Sequence, residues 1–436
     1  MFMAKKEKPP PVTIDLATLL TSARNCFSGF KDPRGKNIVY TLPDILMSGL
    51  AMFQLKYPSL HAFEQQTAAE RHNLRTVFGI SHLCTDAQMR NVLDLVPPQA
   101  LRPMFSAYYA HLRQRGVVDA YSVHKGSIVV ALDGVEYFRS EQIHCDHCQV
   151  RKHRDGQMSY SHSAVCAVLV CPGKREVFPL EMEEISKQDG SVKNDCERNA
   201  TGRLLPRLKE QYPKESFILT GDALYSNAPC VRQIQQNEWH FVLNVKPDSH
   251  TTLFEGFEHR KRQKSTKHLV FSDSKGQHAF EWTNNLPLCE SAADIRVSML
   301  QYTQTDKKGT KTTFTWATDL PLSQNSVQTI AQIGRSRWKI ENETFNTLKN
   351  QGYNFEHNYG HGYKHLASVL ALLMFLAFLF DQMVQHCSRP FQNILEVAKT
   401  KIKIWDCQRA LFSTQYFHSF KELFAALAAL FEVQLE

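Results

Sequence analysis

The chain lacks an apolar run long enough to cross a membrane. Its most apolar stretch, LASVLALLMFLAFLF at 366–380, has 15 residues and is closed by Lys364 and His365 before it and Asp381 after it. A span needs about 20 such residues, so the stretch reads as a buried helix, and no membrane association is expected. A secretory leader is missing as well: the first eleven residues are polar and basic, with no apolar segment behind them. That absence points to the cytoplasm. The cysteines do not form an even set. There are 11, scattered from Cys26 to Cys407, which argues for reduced thiols rather than a disulfide framework. Repeats and low-complexity segments are absent too. With 43% apolar and 22% charged residues, the composition is that of a folded globular protein.

Acidic residues are in deficit: 43 Asp and Glu stand against 51 Lys and Arg, for a formal net charge of +8. A basic balance suits a polyanionic partner. A cluster of functional acids would leave the remaining surface more basic still. At 436 residues the chain has room for two to four domains of roughly 100–200 residues each.

The hydrophobic pattern changes along the chain. Residues 1–120 show helical spacing, with one short helix at 14–26 and others between 40 and 113, and they form an all-helical N-terminal domain. Residues 60–96 are the best place there for a helix-turn-helix. From 127 the pattern becomes strand-like: SIVVALD at 127–133, AVCAVLV at 164–170, a shorter strand at 176–179, FILTGD at 217–222 and a strand at 241–245. Helices at 195–211 and 228–236 alternate with these strands, which implies an α/β sheet. Residues 240–320 have short strands separated by Gly, Asn and Lys turns and read as a β-rich insertion. Helices return from 326, and 386–436 forms a C-terminal helical segment.

Two acids end apolar strands. Asp133 stands in LDGVEYF and Asp222 in GDALYSN, each followed by a small residue and then an aromatic. Active sites in open α/β sheets gather at the carboxyl ends of strands. A third acid stands in RWKIENETFNTLK, where Arg337 lies one helical turn before Glu341 and Trp338 and Phe345 break the pattern of a plain surface helix. Glu343 is a rival to Glu341. Asp195 and Glu197, in KNDCERN, read as ordinary acids at a helix start, where the dipole favours negative charge.

These three segments, in this order, resemble the acidic motifs of bacterial insertion-sequence transposases of the DDE type. The third is similar to that group's YREK signature. The resemblance covers roughly 125–385. It implies an RNase H-like catalytic core at 121–239 and 321–385, interrupted by the β-rich insertion, and it identifies Asp133, Asp222 and Glu341 as the catalytic acids. It implies metal-dependent cleavage of DNA and strand transfer at the terminal inverted repeats of a mobile element, with target DNA as second substrate and a homodimer as the DNA-bound state. The alternatives are a nuclease of the same fold that does not join, and a catalytically inactive, domesticated DNA-binding protein. The chain departs from the signature twice: Gly334 occupies the Tyr position, and Lys349 comes one residue later than the signature Lys, because position 348 is Leu.

Carboxylates are hard oxygen ligands suited to Mg²⁺ or Mn²⁺, and two such ions about 4 Å apart can activate a nucleophile and steady a leaving oxygen. Arg337 and Lys349 are expected on DNA phosphate. Lys349, eight residues beyond Glu341, falls roughly 80° away from it on a regular α-helix. Trp338 can stack on a base, and Arg260, Lys261 and Arg262 in HRKRQKSTKH can track the phosphate backbone. Cys145 and Cys148, with His153 and His162 nearby, have the character of a structural Zn²⁺ site.

Overall fold

The computed structural model describes residues 16–36, 38–186, 196–357 and 359–434. It contains two compact units: Met1–Ala120 with Thr347–Glu436, and Tyr121–Asn346. Ile14, the N-terminal arm and Asp195 lie outside the described residues.

The first unit opens with six helices: α1 (Leu16–Ser28), α2 (Leu42–Gln54), α3 (Leu60–Glu64), α4 (Ala68–Thr76), α5 (Asp86–Leu93) and α6 (Pro103–Gln114). Local chemistry sets their starts. Thr41, Thr67 and Thr85 each accept a hydrogen bond from the backbone three residues on, and Glu70 reaches back to Thr67 to complete a capping box.

The second unit carries eleven strands among its described residues: β1 (Ser122–His124), β2 (Ser127–Ser140), β3 (Gln149–Lys152), β4 (Met158–Val170), β5 (Phe178–Ile185), β6 (Phe217–Gly221), β7 (His240–Asn244), β8 (Lys267–Asp273), β9 (Gly276–Pro287), β10 (Arg296–Thr305) and β11 (Lys311–Thr318). Its helices are α7 (Glu197–Gln211), α8 (Ala228–Gln236), α9 (Thr251–Arg262) and α10 (Val327–Arg335), followed by a π-helical turn at Ile340–Phe345. All strands join one sheet in the order β3-β4-β2-β6-β7-β11-β10-β9-β8, with β1 on β2 and β5 on β4. β6 runs parallel to both β2 and β7, and the β2–β4 and β4–β5 pairs are antiparallel. β6 is buried along its whole length and β2 through its first six residues, which is why both read as continuous apolar runs rather than alternating ones.

The stretch 240–320, read from the sequence as a β-rich insertion, is β-rich and joins the sheet. β11 pairs antiparallel with β7 at Val242–Asn244, so β8–β11 extend the central sheet. The basic run HRKRQKSTKH is not a loop: α9 ends in it, and its tail enters β8.

The chain then returns to the first unit through α11 (Asn346–Asn350), α12 (Leu366–Cys387), α13 (Arg389–Ala398), α14 (Lys401–Thr414) and α15 (Phe420–Leu430). The expectation that residues up to 385 belong with the catalytic core meets a different grouping. α12 packs against α2, α5, α6 and α13, because a helix that is apolar all round needs cover on every side. α12 extends past the 15-residue run to 22 residues, so the expectation of a segment too short to cross a membrane does not hold on length and composition; its apolar 18-residue window is entirely buried. Its charged member, Asp381, is matched inside the unit by Lys56 at 2.6 Å, and the Lys56 ammonium also sits over the Tyr353 and Trp405 rings.

Candidate active site

Asp133 does not end its strand. β2 runs seven residues further, to Ser140. What ends is its neighbour: β6 pairs with β2 only as far as Ala131 opposite Thr220, and it stops at Gly221. Asp133 and Asp222 thus stand two residues beyond the last paired positions of adjacent parallel strands, at the carboxyl end of the parallel pair, where open α/β sheets carry their cleft. The turn after β6 is held by Asp222 itself, whose Oδ1 accepts from Leu224 N at 2.8 Å. Asn227 then caps α8 by accepting from Cys230 N.

Glu341 reaches the same place from the π-helical turn, which lies against β2. Arg337 joins the two acids: its Nη1 is 2.6 Å from Glu341 Oε1 and 3.3 Å from Asp133 Oδ2. The arginine is buried, and its Nε has no hydrogen-bond partner among the described residues. Glu343 points elsewhere, pairing with Arg175 at 3.4 Å. Burial pushes the Asp133 carboxyl up to about 7. Arg337 opposes this, and the neighbouring Glu341 charge adds to it.

A further acid, which the sequence reading set aside, is close by. Glu197 opens α7, and its carboxylate lies over Gly134: a Cβ at that position would come within 2.5 Å of Glu197 Oε1. Glu197 Oε2 accepts from the Tyr225 hydroxyl at 3.2 Å. Burial raises the Glu197 carboxyl, the Tyr225 bond lowers it and the Asp222 charge raises it. Tyr225 is buried with its ring against Gly221, where a Cβ would meet the ring at 2.7 Å. The glycines beside Asp133 and Asp222 therefore make room for Glu197 and Tyr225. The signal was present in the sequence as the two glycines, but which residues fill their space depends on tertiary packing. Gly334, at the signature Tyr position, is explained in the same way: a Cβ there would be 2.3 Å from the Trp316 indole nitrogen, so an aromatic from β11 occupies the space.

The other candidates are scattered. Trp338 is 50% exposed, with the Arg337 guanidinium 5.2 Å from its ring centre. Lys349 lies in α11, beyond the boundary of the second unit, and pairs with Glu356 at 2.7 Å. On α9, Lys261 is engaged by Glu258 and Glu281, Arg260 is half-buried and Arg262 is exposed.

Cys145, Cys148 and His162 converge. Their Sγ and Nε2 atoms are separated by 3.9, 3.6 and 3.3 Å. Cys148 N donates to Cys145 O, forming a tight turn, and the His162 ring stacks on Tyr137. His153 is not drawn in; its Nε2 lies 2.9 Å from Ser159 Oγ.

Residues 185–380 match the family model described as a transposase DDE domain. The match includes Asp222 and Glu341 and begins after the strand that carries Asp133. No curated protein matches the chain. Among solved structures, the chain is similar to the cryo-EM structure of a piggyBac transposase synaptic complex with hairpin DNA, with a TM-score of 0.39 and 9% identity over 96% of this chain and 79% of that one. Residues 185–380 match a transposase DDE domain, and the chain acts as a transposase, an enzyme that cleaves DNA and transfers the cut strand.

Proposed function

We propose that this transposase acts at the terminal inverted repeats of an insertion-sequence-type element, and that Asp133, Asp222 and Glu341 hold its divalent cations on an RNase H-like core. The observation that carries the proposal is the meeting of Asp133 and Glu341, 208 residues apart, on the single guanidinium of Arg337, with Asp222 directly after the end of the adjoining strand. Three carboxylates at the rim of one cleft are the donor set that Mg²⁺ or Mn²⁺ requires. The partly buried Asp133 is costly to ionise without a cation beside it. Two bound ions supply activation of the attacking water or 3′-hydroxyl and stabilisation of the leaving oxygen. Arg337 keeps Asp133 and Glu341 on one side of the cleft. Trp338, Arg260 and Arg262 contact DNA outside the cleft, and the DNA-bound state is a homodimer.

The test uses a duplex bearing the element's ends. Asp133→Asn, Asp222→Asn and Glu341→Gln abolish cleavage while gel-shift affinity stays within about threefold, because phosphate contacts elsewhere dominate binding. Glu343→Gln cleaves normally. A cleaving Glu341→Gln enzyme would move the site to Glu343. Recovery of cut but never joined ends would favour the nuclease.

Cys145, Cys148 and His162 hold a structural Zn²⁺ in the same reading. Ligand atoms of a tetrahedral zinc lie about 3.3–3.8 Å apart, given bonds near 2.0–2.3 Å, and the three measured separations fall close to that range. His153 is no part of this set. Metal analysis of protein purified without chelator finds about one zinc per chain, lost in Cys148→Ser. A zinc-free parent protein would end the assignment.

A further inference from the structure

Glu197 begins a helix, and a glutamate in that position ordinarily faces solvent or the first-turn amides. This one is only half-exposed, and its carboxylate is turned onto the sheet. α7 is fixed to β5 by Arg203 and Arg207 on the buried Glu183, and by Gln211 on the buried Glu181. Its first residue is thereby held at the cleft between β2 and β6. From there the Glu197 side chain crosses the face of Gly134, the residue after Asp133, and meets the hydroxyl of Tyr225, three residues after Asp222. Both catalytic strands carry a glycine beside their acid, and both glycines serve this one arrangement: Gly134 admits the carboxylate, and Gly221 admits the ring that holds its Oε2.

We propose that Glu197 is a fourth carboxylate of the metal site and ligates a divalent cation on the Asp222 side. The proposal rests on the assignment of Asp133, Asp222 and Glu341 as metal ligands. Charge supports it independently of position. Arg337 is inserted between Asp133 and Glu341 and offsets one of the three negative charges offered to the cations. A fourth acid restores it. The Tyr225 hydroxyl occupies Oε2 and orients the group, which leaves Oε1, lying over Gly134, as the ligating oxygen. The alternative role, a mere partner for Tyr225, needs hydrogen bonding but no charge.

Mn²⁺ binding to the full-length, DNA-free protein, measured by calorimetry and by the electron paramagnetic resonance signal of free Mn²⁺, separates the two roles. Glu197→Gln keeps the ability to accept from Tyr225 and removes the charge, and it weakens Mn²⁺ binding about 10–100-fold. Glu197→Asp keeps the charge and weakens binding less than Glu197→Gln does. Tyr225→Phe keeps the carboxylate but loses the bond that orients it, and it weakens binding less than Glu197→Gln does. Thermal unfolding in EDTA shows that each variant is folded before titration. Parent-like affinity in Glu197→Gln, beside a weakened Asp222→Asn, overturns the proposal and leaves the three-acid site standing. Parent-like affinity in both overturns the three-acid site along with it.

Discussion

Replacing Asp133 with Asn should make the metal-free protein more stable, and more so as the pH rises. Burial holds the Asp133 carboxyl at about 7 against an ordinary value of 3.8. The folded protein therefore binds this proton more tightly than the unfolded chain does. Stability from this group is fully present below 3.8 and is lost as the pH rises through about 7. At about 1.4 kcal/mol per pH unit, that interval is worth about 4 kcal/mol. The side chain is 18% exposed, and water reaching it trims the figure to about 2–4 kcal/mol. Asn retains the shape and can still accept from Gly134 N, as Asp133 Oδ1 does at 3.0 Å, but it carries no charge to bury. In EDTA at pH 8, urea unfolding should show Asp133→Asn more stable than the parent by about 2–4 kcal/mol, shrinking to about 1 kcal/mol at pH 4.5. Mg²⁺ in excess should remove most of this advantage. At about 100 times its dissociation constant, a bound ion stabilises the parent by about 2.7 kcal/mol, and the variant gains far less. If Asp133→Asn shows no advantage at pH 8 without metal, the acid is not held at an electrostatic cost, and the argument that it awaits a cation fails.

Other perturbations read out other parts of the molecule. Chelation of Zn²⁺ should leave the parent less stable by at least the loss seen in Cys145→Ser, and it should have no further effect on Cys148→Ser, as followed by thermal unfolding. Asp381→Ala strands Lys56 as a buried unpaired charge and should cost about 3–5 kcal/mol in urea unfolding; a double Lys56→Met, Asp381→Leu variant should recover most of it. Gly334→Ala forces the Trp316 indole to move and should cost about 1–3 kcal/mol, whereas an unchanged midpoint would show the indole is free to shift. Trp338→Ala, at an exposed ring, should leave stability within about 0.5 kcal/mol and weaken retention of cleaved ends in gel shifts.

The middle of the sheet was legible because its strands are buried over continuous apolar runs. The apolar runs before Asp133 and Asp222 coincide with β2 and β6, and α8 at Ala228–Gln236 falls where its spacing puts it. Legibility failed where long-range partners decide. Nothing within 127–140 says that β2 outlasts β6, since that depends on where a strand some ninety residues away turns aside. Likewise the strands of 267–318 looked self-contained until β11 paired with β7. Glu197 was passed over because the local rule for helix-start acids explains it without reference to Gly134 or Tyr225. The angle assigned to Lys349 assumed a regular 100° per residue, which the π-helical turn at Ile340–Phe345 invalidates.

The grouping of α2 with α12 also has a temporal side. α2 is buried almost throughout, and the helix that covers it ends some 330 residues later in the chain. At roughly 5–20 residues per second, synthesis leaves that apolar surface without its partner for about 20–60 s. The strand-rich unit between them is complete by Asn346 and can fold first. Newly made protein thus passes through a stage in which one half is native and the other is an open, sticky set of helices.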